Sequence, residues 1–400
     1  MSAKMNVPKL RFPEFSGEWE EKKLGEVTTY VDYRGRAPTK TEEGHFLVTA
    51  KNIKKGFIDY ECSKEYVAEH DYLNVMSKGL PEVGDVLFTT EAPMGNVAQV
   101  DDKNIALAQR VIKFRSKKML SNLYLLHYML SAIFQKLISE KSIGTTVQGI
   151  SGKELHRIRL AFPSLNEQTK IATFLTAIDT KIDQLTKKQT LLKQYKKGVM
   201  QKIFSQELRF KADDGSEFSG WEEKTLGEIA EINPKTGSLP DEFIYIDLES
   251  VDSGTLLKET RISKFGAPSR AQRLLNKDDI LFQMVRPYQR NNLFFNKIGN
   301  YVASTGYAQI RVNESAQFIY HLLHLDSFVN DVMSHCTGTS YPAINSSDLG
   351  IILIQIPSSI EEQTKIATFL TVIDTKIDLA TKQLNATKQF KKALLQQMFV

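Results

Sequence analysis

The sequence predicts an α+β, or mixed α/β, fold made of one unit used twice: two globules separated by two long coiled-coil helices. Three observations carry this. EQTKIATFLTAIDTKID at Glu167–Asp183 returns as EQTKIATFLTVIDTKID at Glu362–Asp378, with Ala177 against Val372 as the single difference. The segments before each copy recur in the same order, so the repeat is a duplication of nearly the whole chain. Apolar residues in the repeated segment alternate steps of four and three, the spacing of a coiled-coil seam.

Each unit opens on a tryptophan, in FSGEWEEKKLGEV at 15–27 and FSGWEEKTLGEI at 218–229. Trp19 with Leu24, and Trp221 with Leu226, read as core anchors. GHFLVTA and EFIYIDL follow as strands. GDVLFTT and DDILFQMV read as a buried strand after a Gly/Asp turn, and QRVIKFR and YAQIRV as another. An amphipathic helix is expected over about 121–140 and 316–335, then a last strand in LHRIRLAFP and LGIILIQIP. Strands mixed with one helix per globule argue for α+β.

Pro163 and Pro357 then end the strand, and a Ser or Asn caps a long helix. Its seam is Ile171, Leu175, Ile178, Ile182, Leu185, Leu192, Val199 and Ile203, with polar Gln189 and Lys196 in frame. The second copy keeps Ile366, Leu370, Ile373, Ile377, Ala380, Leu384, Leu394 and Met398. A helix over about 166–204 would run roughly 57 Å. The expected divisions are 1–165 for the first globule, 166–212 for the first long helix and spacer, 213–360 for the second globule and 361–400 for the second long helix.

The chain has 400 residues, 42% hydrophobic and 25% charged, which suits two globular domains rather than disorder. Cys62 and Cys336 lie far apart, which excludes a disulfide scaffold or thiolate zinc site and fits a cytoplasmic protein. No apolar stretch approaches the ~18 residues of a membrane span. A net charge of +5 permits nucleic-acid binding without requiring it.

The near-identical 17-residue segments imply a partner common to both halves, and the divergent middles imply different targets. Side chains able to reach bases or phosphates collect in the divergent loops. The first globule offers Arg34, Arg36, Lys51, Asn52, Lys54, Lys55, Thr89 and Thr90. The second offers Arg270, Arg273, Arg286, Tyr288, Gln289, Arg290, Asn291 and Asn292. On the helices, Phe174, Ala177, Phe369 and Val372 lie off the seam and are candidate docking residues for a protein partner. Lysines 181, 187, 188, 193, 196, 197 and 202 give the first helix a basic face, commonly just solvated.

Chemistry is scarce. There is no GxGxxG and no GxxxxGK[ST], hence no nucleotide cradle, and no [DNS]-Pro-Pro-[YF] tetrapeptide of amino-methyltransferases. His321 and His324 read as helix-surface histidines rather than metal ligands. No catalytic residue and no metal site is assigned.

WEEKKLGEV with WEEKTLGEI, and GTTVQGISGKEL…FPSLNEQTKIATFL with its second copy, resemble the specificity subunit of a type I restriction–modification system over essentially the whole chain. The resemblance implies two target-recognition globules, each reading one half of a bipartite asymmetric site in double-stranded DNA. It implies long helices paired antiparallel with a pseudo-twofold relation, docking two methyltransferase (modification) subunits and joined by restriction (motor nuclease) subunits. It implies no cofactor in this chain, with S-adenosylmethionine, ATP and Mg in the partners. The competing reading is a coiled-coil protein–protein adaptor without DNA readout.

Overall fold

A computed structural model describes residues 6–35, 37–144 and 148–400. It divides into two compact units, Met1–Thr186 with Lys382–Val400, and Lys187–Thr381. The units do not follow the linear division expected from the sequence. The first long helix is Leu165–Phe204 and the second Ile360–Gln397, and each contributes one stretch to each unit.

In the first unit a four-stranded antiparallel sheet runs in the order Thr28–Asp32, Val111–Ser116, Val86–Thr89, Val97–Gln99. Its central strand is an unbroken apolar run because both faces are covered. Val86 and Phe88 point into a core shared with the helices, while Leu87 points into a second core under the small sheet of His45–Val48, Tyr66–Val67 and Ala106–Leu107. The second unit repeats the plan. Ile280 and Phe282 face the helices, and Leu281 faces the outer sheet of Glu242–Ile246, Thr260–Ser263, Ala271–Leu274 and Tyr301–Ser304.

The aspartates of the two Gly/Asp turns are structural. Asp85 is buried and accepts from the Arg115 fork at 2.7 and 2.8 Å, and Asp279 accepts from Arg311 at 2.8 and 2.8 Å. Burial pushes the Asp85 carboxyl up, but Arg115, the Glu82 amide and Lys113 outweigh it and hold it below the ordinary value.

The expected single helix of each globule is two. Asn122–Leu130 stops at Ser131, whose extended backbone and hydroxyl cap start Ala132–Lys141. Ala316–Leu322 and Asp326–Ser334 are the second pair. A short helix, Gly152–Arg157, also takes up the start of the expected LHRIRLAFP strand, which begins only at Arg159. The long helices start as expected, with the Ser164 and Ser359 carbonyls accepting from Gln168 and Gln363. Trp19 is buried and Trp221 half-buried, the latter edge-on to Phe204 and Phe318.

Within the second unit the stretches of the long helices run antiparallel. Gln189 donates to Thr381 at 2.5 Å, and Lys196 to Asp374 at 2.6 and 2.7 Å. Lys196 is therefore part of the seam, not of a basic face. In the first unit the equivalent pair is Lys391 with Asp179. Polar pairs set in an apolar seam fix its register.

The helix histidines are not on the surface. His127 and His321 are buried, and their Nε2 atoms meet the hydroxyls of Thr176 and Thr371 at 3.1 and 3.3 Å. Burial, with Lys391 or Lys196 nearby, pushes each imidazole down to about 3. Both stay neutral in the fold while the unfolded chain takes up protons below its ordinary value of 6.5. Stability therefore falls as pH drops from about 6.5 toward 3, by up to about tenfold in the folding equilibrium per pH unit per histidine. Asp374, 3.7 Å from His321 and pushed up by burial, acts in the opposite sense. His127→Gln with His321→Gln is expected to flatten the urea midpoint between pH 7 and 5; an unchanged slope counts against this origin.

Candidate nucleic-acid interface

In the second unit, backbone hydrogen bonds tie four loop segments together. Thr305 N donates to Arg270 O at 2.9 Å, Met284 N to Gly306 O at 3.0 Å, and Ile344 N to Met284 O at 3.1 Å. Arg286 N donates to Pro342 O at 2.7 Å. The loop after Ile280–Gln283 is thus pinned to the segment GTSYPAIN, and carries Arg286, Tyr288, Gln289, Arg290 and Asn291. Arg286 and Arg290 both take positive φ, +55° and +53°, on either side of the turn Pro287–Gln289. Non-glycine residues rarely do so unless surrounding contacts hold them there.

Those contacts are present. Arg290 donates to the His324 carbonyl at 3.1 Å and to Asp326 at 2.5 Å. Asn291 donates to Val251 O at 2.6 Å, and the Asn292 side chain accepts from Gln283 N at 2.9 Å. Gln289 accepts from the Gln283 side chain at 2.9 Å. Tyr288 is exposed, and the Arg286 guanidinium lies 4.3 Å from the centre of the Tyr341 ring. Arg270 is exposed on the adjoining loop. Arg273 is half-buried in its strand, with Nε lacking a partner, and burial holds its pKa below the ordinary value.

The first unit has the same junction with different side chains. Thr90 N donates to Arg110 O at 3.0 Å, Ile150 N donates to Thr90 O at 3.1 Å, and Glu91 bridges to Gly149. Arg110 and Glu91 pair at 2.8 Å on the surface. Thr89 and Thr90 are buried and serve this junction, Thr89 accepting from Asn96 N at 2.9 Å. Asn52 is likewise turned inward rather than toward a ligand. It is fully buried, accepts from Thr49 N and Oγ1, and donates to Asp59 O and Ser63 O, which closes its own turn. A side chain so satisfied has nothing left for a base. Lys51 and Lys55 are exposed, and Lys54 donates to the Lys51 carbonyl at 2.7 Å. Arg34 is bound to Asp32 at 2.9 and 3.0 Å. Arg36 lies outside the described residues.

Sequence reasoning missed Arg110, Glu91 and Tyr341. For Tyr341 the signal was there: TVQG against SYPA is a local divergence inside a segment that otherwise repeats.

The long helices present a second surface. Phe174 is half-buried edge-on against Phe12 at 5.6 Å, and Phe369 against Phe210 at 5.6 Å, so this chain already covers both in part. Ala177 and Val372 are exposed. In the second unit Leu191 (54% exposed), Tyr195 (54%), Val372 (49%) and Leu379 (56%) each precede a seam residue. In an antiparallel pair such positions fall on one side. Thr371, which follows a seam residue, faces the globule's His321 instead. The result is an apolar strip on the side away from that histidine. In the first unit Ala177 and Phe390 hold the equivalent positions.

Among the described residues no group of three or more His, Cys, Asp or Glu could hold a metal ion, and no helix is long and apolar enough to cross a membrane.

Residues 16–194 and 218–389 match the family of the type I restriction modification DNA specificity domain. The type I restriction enzyme MjaVIII specificity subunit of Methanocaldococcus jannaschii is 23% identical, over 96% of this chain and 92% of its own length. The type I restriction enzyme HindI specificity subunit of Haemophilus influenzae is 28% identical over 46% of this chain and 41% of its own. A crystal structure of a type I restriction–modification S subunit from M. genitalium matches with a TM-score of 0.66 at 18% identity, covering 98% of this chain and 99% of that one. At that identity the likeness speaks for the fold.

Proposed function

The chain belongs to the type I restriction modification DNA specificity family, and from that premise we propose a two-address reader of DNA for a methyltransferase and nuclease. Each unit reads one half of a bipartite asymmetric site in double-stranded DNA, through the loops pinned beside Thr90 and Met284. The long helices dock two modification subunits, one on each copy of the repeated segment, and restriction subunits join that assembly. The chain itself is non-catalytic and works in the cytoplasm. S-adenosylmethionine, ATP and Mg are assigned to the partners.

One observation supports this above the rest. The junction loops differ, Thr-Thr-Glu-Ala-Pro against Gln-Met-Val-Arg-Pro, while the 17-residue segment early in each long helix is almost identical. Different loops suit different half-sites, and a repeated helical segment suits two copies of one partner. The strip of Leu191, Tyr195, Val372 and Leu379 supports a protein partner, because contiguous exposed apolar surface marks interaction sites.

The test maps adenine methylation by single-molecule sequencing in cells carrying the modification subunit, with and without this chain. A bipartite motif that appears only with the chain is the expected result. Co-purification of the two proteins without new methylation would leave docking and remove DNA reading.

A further inference from the structure

We propose that Arg286 is the base-reading arginine of the second unit, donating to N7 and O6 of one guanine in the major groove. The inference rests on the DNA-reading function above and adds to it a residue, a base and a groove edge.

A side chain that reads a base must be held in place and still have donors to give. Most loop arginines of the two units are held but occupied. Arg34 is on Asp32, Arg110 on Glu91, and Arg290 on Asp326 and the His324 carbonyl. Arg270 is exposed with no hydrogen bond or ion pair from its side chain among the described residues, so it is free but not held. Arg273 is half-buried in its strand. Arg286 alone among these meets both conditions. Its guanidinium lies on the Tyr341 ring at 4.3 Å, and no acceptor among the described residues takes a hydrogen bond from it. A cation–π contact restrains a guanidinium against the ring while its N–H edge stays unspent. That edge is the fork that matches the two acceptors of guanine.

The backbone is fixed as well. Arg286 sits at φ +55°, its amide bound to Pro342 O, and the turn is closed at the other end by the Arg290 bonds. Tyr341 is 64% exposed although it is large and apolar-faced. It stands beside Pro342, so the same backbone bond that sets Arg286 also sets the ring beneath it.

The experiment uses the complex of this chain with its modification subunits and a labelled duplex carrying the methylated motif. Each guanine of the motif is replaced in turn by 7-deazaguanine, which lacks the N7 acceptor. The variant is Arg286→Gly, because glycine accepts positive φ and keeps the turn, with melting to confirm the fold. The wild-type complex is expected to lose roughly tenfold in affinity at one guanine. Arg286→Gly is expected to bind the parent duplex more weakly and to be indifferent to that one replacement, and its methylated motif relaxes there from guanine to any base. Tyr341→Leu, which keeps the arginine and removes the ring, falls between the two. A variant that still discriminates at every guanine overturns the proposal. So does a uniform loss on all duplexes, which is a phosphate contact, or a motif without guanine. A wild-type chain that directs no methylation and binds no duplex specifically removes the DNA-reading function itself, a separate failure.

Discussion

Leu191→Glu with Leu379→Glu is expected to strip the modification subunit from the second unit, leaving at most the one docked on the first, and to lower methylation sharply. Both leucines are more than half exposed, and they lie level across the antiparallel pair set by Gln189 with Thr381 and Lys196 with Asp374. The chain alone has little to lose from the change, since exposed positions tolerate charge within roughly 0.5 kcal/mol. A partner that buries the strip would have to desolvate two carboxylates without counter-ions, and the expected loss of affinity is roughly 100-fold or more. Gel filtration and methylation of a target plasmid both read this. A complex of normal yield would show that the partner docks elsewhere. The off-seam aromatics make an instructive contrast. Phe174→Glu with Phe369→Glu would unseat Phe12 and Phe210, and is expected to register as lost stability of the chain.

The second large effect is thermal. Glu362 is fully buried, and Arg209 donates to it from Nε at 3.1 Å and from Nη2 at 2.6 Å. The same Nη2 also donates to Ser219 O at 2.6 Å, which straps the segment after the first long helix onto the start of the second. Arg209→Ala leaves a buried carboxylate without its cation, which costs about 3–5 kcal/mol. For a unit of this size the melting transition should fall by roughly 10 °C. Arg11 and Glu167 make the matching pair in the first unit, at 2.8 and 2.8 Å, so Arg11→Ala should lower that unit's transition instead. Calorimetry that showed no shift in either variant would mean the pairs are replaceable by water. Adding Glu362→Leu to Arg209→Ala should recover part of the loss, because the unpaired charge goes with it.

The parts of the fold legible in sequence were those where one periodicity dominates. The 4/3 spacing marked both long helices to within a few residues, and apolar runs marked the central strands. What sequence missed were local decisions. Ser131 ends one helix and caps the next, and nothing in the apolar pattern distinguishes that from a serine inside a helix. For the interface, residue type pointed to the right loops and to several wrong atoms. Asn52, Thr89 and Thr90 have the chemistry of readers, but they spend it on their own backbone neighbours, which only the folded chain brings to them. His321 has the helical spacing of a surface residue, yet the globule closes over it.

The first unit ends with Lys382–Val400, and the whole second unit lies between that stretch and Thr186. Leu394, Met398 and Phe399 belong to the core of Trp19, Ile171 and Leu175, and the Phe399 ring stands 5.6 and 5.9 Å from Tyr124 and Tyr128. On the ribosome, therefore, the globule begun first is finished last. At roughly 5–20 residues per second it waits on the order of ten seconds or more with that pocket open to water, while the second globule has all its residues by Thr381. A chain cut short inside the second long helix would carry one finished address and one open core. Chaperones and proteases would meet that exposed tyrosine pocket first, so the cell's quality control reads whether both addresses have been written.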